Sequence, residues 1–199
     1  TVAPEVESHY LPHAVDSGIF KPLEKEDIDL AASLRQKVMG DDNEDKLLFF
    51  WNNRNARRKQ SGTLIFWFKD FLDRVGHDKA QLVMHTDPRD PNGQDLPHII
   101  EHLQLTDGQV TISNQKVSPQ DLAVMYNNMT GGLQEQVTDG KNWFGYGIEP
   151  ASKAVIGSLN VPYIYEDRIN KEEFIDTMVK FSKLTKKQRQ KMGSLGRKH

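Results

Sequence analysis

Cysteine is absent from the 199 residues. That excludes a disulfide framework and a thiolate metal site, and it fits a reducing compartment. No apolar run approaches the roughly 20 residues needed to span a bilayer. The N-terminus lacks the charged-then-apolar pattern of a signal peptide. The expectation is a soluble, cytoplasmic protein. Its first residue is Thr rather than Met, as in a fragment or the ordered part of something longer. No excess of one charge exists either: 26 basic residues stand against 28 acidic, a net charge of −2. There is thus no global attraction to nucleic acid or an anionic membrane, and any anion site must be local. Apolar residues are sparse at 37%, yet nine Phe, five Tyr and three Trp can still build a core. Also missing are a GxSxG elbow, a GxxxxGK[ST] loop and a GxGxxG fingerprint. Their absence argues against a serine hydrolase, a P-loop NTPase and a dinucleotide oxidoreductase.

What is present is an alternation of element types. A helix is expected over 25–39, where Ile28, Ala31, Ala32, Leu34, Arg35 and Val38 give an approximate helical period. Leu47-Leu48-Phe49-Phe50-Trp51 reads as a buried strand. A helix follows from Ser61, a fair N-cap, to a stop at Gly76. The next strand is 79–86, then comes a helix capped by Asp95, then a strand over 110–113. Ser118-Pro119 opens another helix, with Pro at its favoured first position. This order predicts an α/β fold, a parallel sheet covered by helices. After Asn128 the pattern breaks: Met129-Thr130-Gly131-Gly132 follows a helix with no strand to feed it. Residues 143–150 read as irregular. Asn170 caps a helix near 171–183, and Thr185 starts a last, basic, amphipathic one.

The richest stretch is Asn52-Asn53-Arg54-Asn55-Ala56-Arg57-Arg58-Lys59. It lies on a strand-to-helix loop, at the carboxyl end of a strand, where open α/β sheets bind ligands. The helix start behind it adds free N–H groups and a positive dipole end. A phosphate or diphosphate is the simplest ligand for such a place. A solvated basic loop is the competing reading of the same residues.

Three segments resemble the C-terminal domain of retaining nucleotide-sugar glycosyltransferases of the GT-B fold, family four. Leu11-Pro12-His13-Ala14-Val15-Asp16-Ser17-Gly18-Ile19-Phe20 resembles the "P-N-G-V-D-x-x-x-F" lead-in of that domain, with His-Ala in place of Asn-Gly. Arg54 and Lys59 match an Arg and a Lys five positions apart that grip the donor diphosphate. Gly131-Gly132-Leu133-Gln134-Glu135-Gln136-Val137 resembles the "G-G-x-x-E-x-V" helix start, and Asp139-Gly140 the turn after it. The likeness covers most of residues 10–199 at low motif density. Two departures stand out. Lys59 is followed by Gln60 rather than Gly. The family's "E-G-F-G-L … E" segment, with its two acids near the donor sugar and ribose, is absent; it would fall between Asn128 and Met129. About thirty residues, one βαβ step, are expected to be missing there.

The resemblance implies a Rossmann-like donor domain over 25–168, an interdomain lead-in over 1–24, and C-terminal helices over 169–199 that brace the fold. It implies a transferase moving a sugar from a UDP- or GDP-sugar to an acceptor with retention of configuration. Arg54 and Lys59 would neutralise the leaving diphosphate, as catalytic and donor-binding residues. Asn114, Gln115, Lys116 and Val117, in the loop after the third strand, would frame the nucleobase. Gly131 and Gly132 would bring backbone N–H groups to the sugar-phosphate end. No cofactor and no metal are demanded. The alternatives are a non-catalytic nucleotide- or phosphate-binding module and a sugar-nucleotide epimerase on the same scaffold.

Other residues carry weaker signals. Arg57 and Arg58 are expected to face solvent or pair with acids, and Tyr126 to face the core, with packing beside the site as the alternative. His98 and His102 sit one turn apart, but Ile99 follows His98 where a zinc protease has Glu, so no metal site is expected. The basic tail from Lys183 to Lys198 is expected to be the solvated face of a terminal helix rather than a nucleic-acid site.

Overall fold

The structure, a computed structural model, describes residues 15–39, 46–128, 138, 141–158 and 161–198. The predicted alternation is there: α1 (Lys25–Met39), β1 (Leu47–Asn52), α2 (Ser61–Val75), β2 (Ala80–His85), α3 (Leu96–His102), β3 (Val110–Ser113) and α4 (Pro119–Asn128). The three strands pair in parallel in the order β1-β2-β3.

The register explains why these strands read as continuous apolar runs. Side chains alternate faces along a strand, and a parallel sheet is covered on both. Phe49, Leu82 and Val110 lie in one row, and Trp51, Met84 and Ile112 in the next. That face meets Ile65, Phe68, Phe71 and Leu72 of α2 and Leu96 of α3, all fully buried. The opposite face is thinner: Leu48 and Val83 meet Met125 of α4, with Leu34 of α1 at the rim. A polar pair interrupts it, buried Gln81 donating through Nε2 to Thr111 Oγ1 at 2.7 Å. Most of the hydrophobic stabilisation therefore sits on the α2 side. α1 forms where expected, but its inward face is narrow, because Ile28 stays 54% exposed while Ala31 is buried.

α2 ends at Gly76, whose φ of 109° only glycine adopts without strain, and its N–H caps Leu72 O at 2.7 Å. Ser118 Oγ accepts from Asp121 N at 3.0 Å, opening α4 as the sequence predicts.

After α4 the βα alternation does not resume among the described residues. Residues 151–168, to which periodicity assigns no element, contain an antiparallel hairpin of β4 (Ser152–Ser158) and β5 (Val161–Arg168), a sheet separate from the first. Its signal was weak because Gly157 and Pro162 interrupt the strands. α5 (Lys171–Ser182) and α6 (Lys186–Lys198) follow. Asn170 caps α5, its side-chain oxygen accepting from Glu172 N at 2.8 Å and Glu173 N at 3.2 Å. Thr185 and Gln188 form a reciprocal box at the start of α6. α5 lies on α2: Trp67 meets Phe174 at 5.2 Å between ring centres, Arg74 Nη1 reaches Asp176 at 2.8 Å, and Lys171 pairs with Asp70 at 2.7 Å.

Candidate functional site

The loop between β1 and α2 is built rather than merely exposed. It passes through a 3-10 turn at Arg57–Lys59 and then Gln60, whose left-handed backbone (φ 52°) swings the chain into α2. Such a conformation is uncommon for Gln and calls for support from its surroundings. Support comes from the loop after β2. Gln94 Oε1 accepts the Gly62 N–H at 2.7 Å, capping α2 in place of Gln60's own side chain.

Asn55 is the pin of this arrangement. It is wholly buried. Its Nδ2 donates to Gln94 O at 2.7 Å and Pro88 O at 3.4 Å. Its Oδ1 accepts from Ser61 Oγ at 2.5 Å and from Gln94 N at 3.3 Å. A buried amide satisfied in this way fixes the backbone around it. The two loops press so closely that a Cβ on Gly93 would sit 1.9 Å from Asn55 O.

Arg54 precedes this pin. Its Nε donates to Asp90 Oδ2 at 2.6 Å and its Nη2 to Asp90 Oδ1 at 3.1 Å, a two-point contact. The Asp90 side chain is only 9% exposed, whereas that of Arg54 is 65% exposed. Asp90 Oδ1 also accepts from Asn92 N at 2.8 Å. The Arg54 guanidinium, with the Asn92 N–H, lowers the Asp90 pKa to about 2, and the same contact raises that of Arg54. Two of the five guanidinium N–H groups are thus used, leaving the rest for a ligand. Asp90 holds the plane of the guanidinium while its outer edge meets solvent. Lys59, on the 3-10 turn, has no ion-pair partner among the described residues. Arg57 and Arg58 are exposed, as the sequence suggested.

At the end of β2, Thr86 N donates to Ser113 O at 2.9 Å, while the buried Thr86 hydroxyl has no partner among the described residues. His85 Nδ1 and Ser113 Oγ lie 2.9 Å apart at the ends of neighbouring strands. Beyond β3, Asn114, Gln115 and Lys116 are exposed and Val117 packs onto the thinner core. Tyr126, expected in the core, is 47% exposed. Its hydroxyl accepts from Asn52 Nδ2 at 3.1 Å and its ring stands edge-on to Phe50, so it stands beside the end of β1. Gly131 and Gly132 lie outside the described residues, as do Leu11 to Ala14. Among the described residues no group of three or more His, Cys, Asp or Glu could hold a metal ion.

The structure thus joins Arg54 and Lys59 to one pinned loop and leaves 114–117 on a separate, looser one. Sequence reasoning missed Asp90, Asn55 and Gln94 as the framework. The polar run Asp87-Pro88-Arg89-Asp90-Pro91-Asn92-Gly93 was visible, but nothing in it names its partners across the sheet. A cleft of about 610 Å³ opens on one part of the pinned loop: Arg57 and Gln60 line it, Arg54 and Lys59 do not.

No protein-family model matches the chain, and no curated protein matches it in sequence. Among solved structures it is similar to the C-terminal domain of a glycosyl transferase group 1 family protein (LpcC) from Francisella tularensis. The match has a TM-score of 0.54 at 16% identity and covers 93% of this chain and 95% of that one. With its parallel sheet, helices on both faces and pinned loop at the carboxyl end of β1, the chain has the Rossmann-like fold of such a C-terminal domain.

Proposed function

We propose that the chain is the donor-nucleotide domain of a glycosyltransferase that moves a sugar from a UDP- or GDP-sugar to an acceptor with retention at the anomeric carbon. The observation that carries this reading is the pinned loop. It presents Arg54, fixed in plane by Asp90, and Lys59, which has no ion-pair partner among the described residues, at the carboxyl end of a parallel strand. As the bond between the sugar and the diphosphate breaks, negative charge grows on the β-phosphate. Cations already held in place stabilise that charge more in the transition state than in the ground state. Because Asn55 and Gln94 fix the loop before any ligand arrives, little ordering cost remains for binding. In this reading protein cations do the work of a divalent ion, and Asn114 to Val117 meet the base.

The test is incubation with UDP- and GDP-sugars labelled in the sugar, alone and with candidate acceptors. Release of the nucleoside diphosphate that Arg54→Ala and Lys59→Ala abolish is the expected result. Tight diphosphate binding without release in any mixture favours the second reading, a non-catalytic phosphate-binding module. That reading draws on one observation: Met129 follows Asn128 directly, with no acidic segment between them.

A further inference from the structure

The cleft of about 610 Å³ takes in Arg57 and Gln60 of the pinned loop but neither Arg54 nor Lys59, and its chemistry differs. Thr63, Phe66, Trp67 and Asp70 of α2 are spaced so that all four share one face, at the edge of the contact with α5. Phe66 is 43% exposed there and Trp67 is partly covered. Trp67 is backed by Phe174 of α5, so its indole is held in place. The cleft of about 610 Å³ is lined by Arg57 and Gln94 and by Glu166 and Arg168 of the hairpin. Its volume lies within the roughly 300–1,000 Å³ usual for small-molecule sites. A second hollow of about 340 Å³ shares Thr63, Trp67 and Gln94 with it and runs on past Phe66 to the Asp70–Lys171 pair. Together they form one groove whose aromatic lining is Phe66 and Trp67.

We propose that this groove binds a saccharide that carries acidic groups. A pyranose has an apolar C–H face and a rim of hydroxyls. An aromatic ring takes the face, and planar guanidinium, amide and carboxylate groups take the rim. The Arg57 guanidinium, the Thr63 hydroxyl and the Gln94 amide N–H₂ have no protein partner among the described residues. The charge balance selects the acidic kind. Three cations, Arg57, Arg168 and Lys171, line the groove against two acids, Glu166 and Asp70. Lys171 is matched by Asp70 at 2.7 Å, and Arg168 approaches Glu166 only at 3.6 Å. That leaves Arg57 without a counter-charge among the described residues. Arg57 is also two residues from Lys59 on the same loop, so the groove adjoins the proposed diphosphate cations. Its assignment as the place of the acceptor glycan rests on the glycosyl-transfer reading; the binding of an acidic saccharide does not.

Calorimetry with trigalacturonate, maltotriose and citrate tests this. Trigalacturonate is expected to bind, maltotriose at least tenfold more weakly, and citrate not at all. Arg57→Ala and Arg168→Ala, both at exposed positions, should each weaken trigalacturonate about tenfold, the loss of one charged hydrogen bond. Neither should change UDP or GDP affinity. Trp67→Ala, which also loses its packing on Phe174, is replaced by Thr63→Trp as the blocking variant; it should abolish trigalacturonate binding with the fold intact by circular dichroism. Absence of trigalacturonate binding at millimolar concentration, equal binding of maltotriose, or equal binding of citrate overturns the proposal. Failure of the diphosphate reading shows separately, as unchanged UDP and GDP affinity in Arg54→Ala with trigalacturonate binding retained.

Discussion

Two loops leave the carboxyl edge of the same parallel sheet, and they are built in opposite ways. The loop after β1 is tied to the loop after β2 by a buried amide, a borrowed helix cap and an ion pair whose acid is nearly covered. The loop after β3 has Asn114, Gln115 and Lys116 in solvent and only Val117 anchored. A rigid, cationic loop suits a ligand group of fixed shape and charge, such as a diphosphate. A loose polar loop suits contacts made largely through its backbone, with side chains adding little. Under the proposed function, the first loop would supply the affinity and the second would only accommodate the base.

The comparison breaks most directly at Asn55. Asn55→Ala leaves Gln94 O, Gln94 N and Ser61 Oγ without their partner. Buried orphans of this kind cost roughly 1–3 kcal/mol each, so a loss of about 3 kcal/mol is expected in urea unfolding. Gly93→Ala forces Asn55 O and the new Cβ apart and should destabilise the fold similarly. Diphosphate affinity should fall in both variants, because the loop loses its pin.

Next in size are the ligand cations. Arg54→Ala and Lys59→Ala should each weaken UDP or GDP binding roughly 10- to 100-fold, the range for a charged hydrogen bond. The urea midpoint should barely move for Lys59→Ala, whereas Arg54→Ala should lower it, because the nearly covered Asp90 carboxylate loses its partner. A smaller effect concerns acid. The folded pKa of Asp90 is lowered to about 2 from 3.8, chiefly by Arg54. Its contribution to stability is thus complete above about pH 4 and is lost as pH falls through about 2. Asp90→Asn should remove that part of the acid transition, read from unfolding curves between these limits. The smallest effects belong to the other loop. Asn114→Ala, Gln115→Ala and Lys116→Ala should each change diphosphate affinity less than about threefold, as exposed substitutions away from a built feature do.

Much of this fold was legible because its signals are local. Strand 47–52 and helix 61–75 announce themselves through apolar period and caps, and Asn170 marks α5 by its own side chain. The site was legible only in its cations. Arg54 and Lys59 stand out in a basic run, but the groups that hold them come from elsewhere: Asp90 lies 36 residues beyond Arg54, and Gln94 lies 32 beyond the Gly62 that it caps. No periodicity encodes such pairs. The hairpin 152–168 escaped for a different reason, since Gly and Pro within its strands mask the alternation. For Tyr126 the sequence leaves both the core and a place beside the site open, and its hydroxyl and edge-on ring draw it to the end of β1.

The central claim is that the pinned loop is a diphosphate site whose strength lies in Arg54 and Lys59. Calorimetric titration of the intact protein with UDP and with GDP, beside Arg54→Ala, Lys59→Ala and Lys116→Ala, tests it most directly. The account predicts binding of at least one nucleotide, a loss of tenfold or more in each of the first two variants, and near wild-type affinity in the third. Equal affinity across all four proteins, or a loss confined to Lys116→Ala, contradicts it.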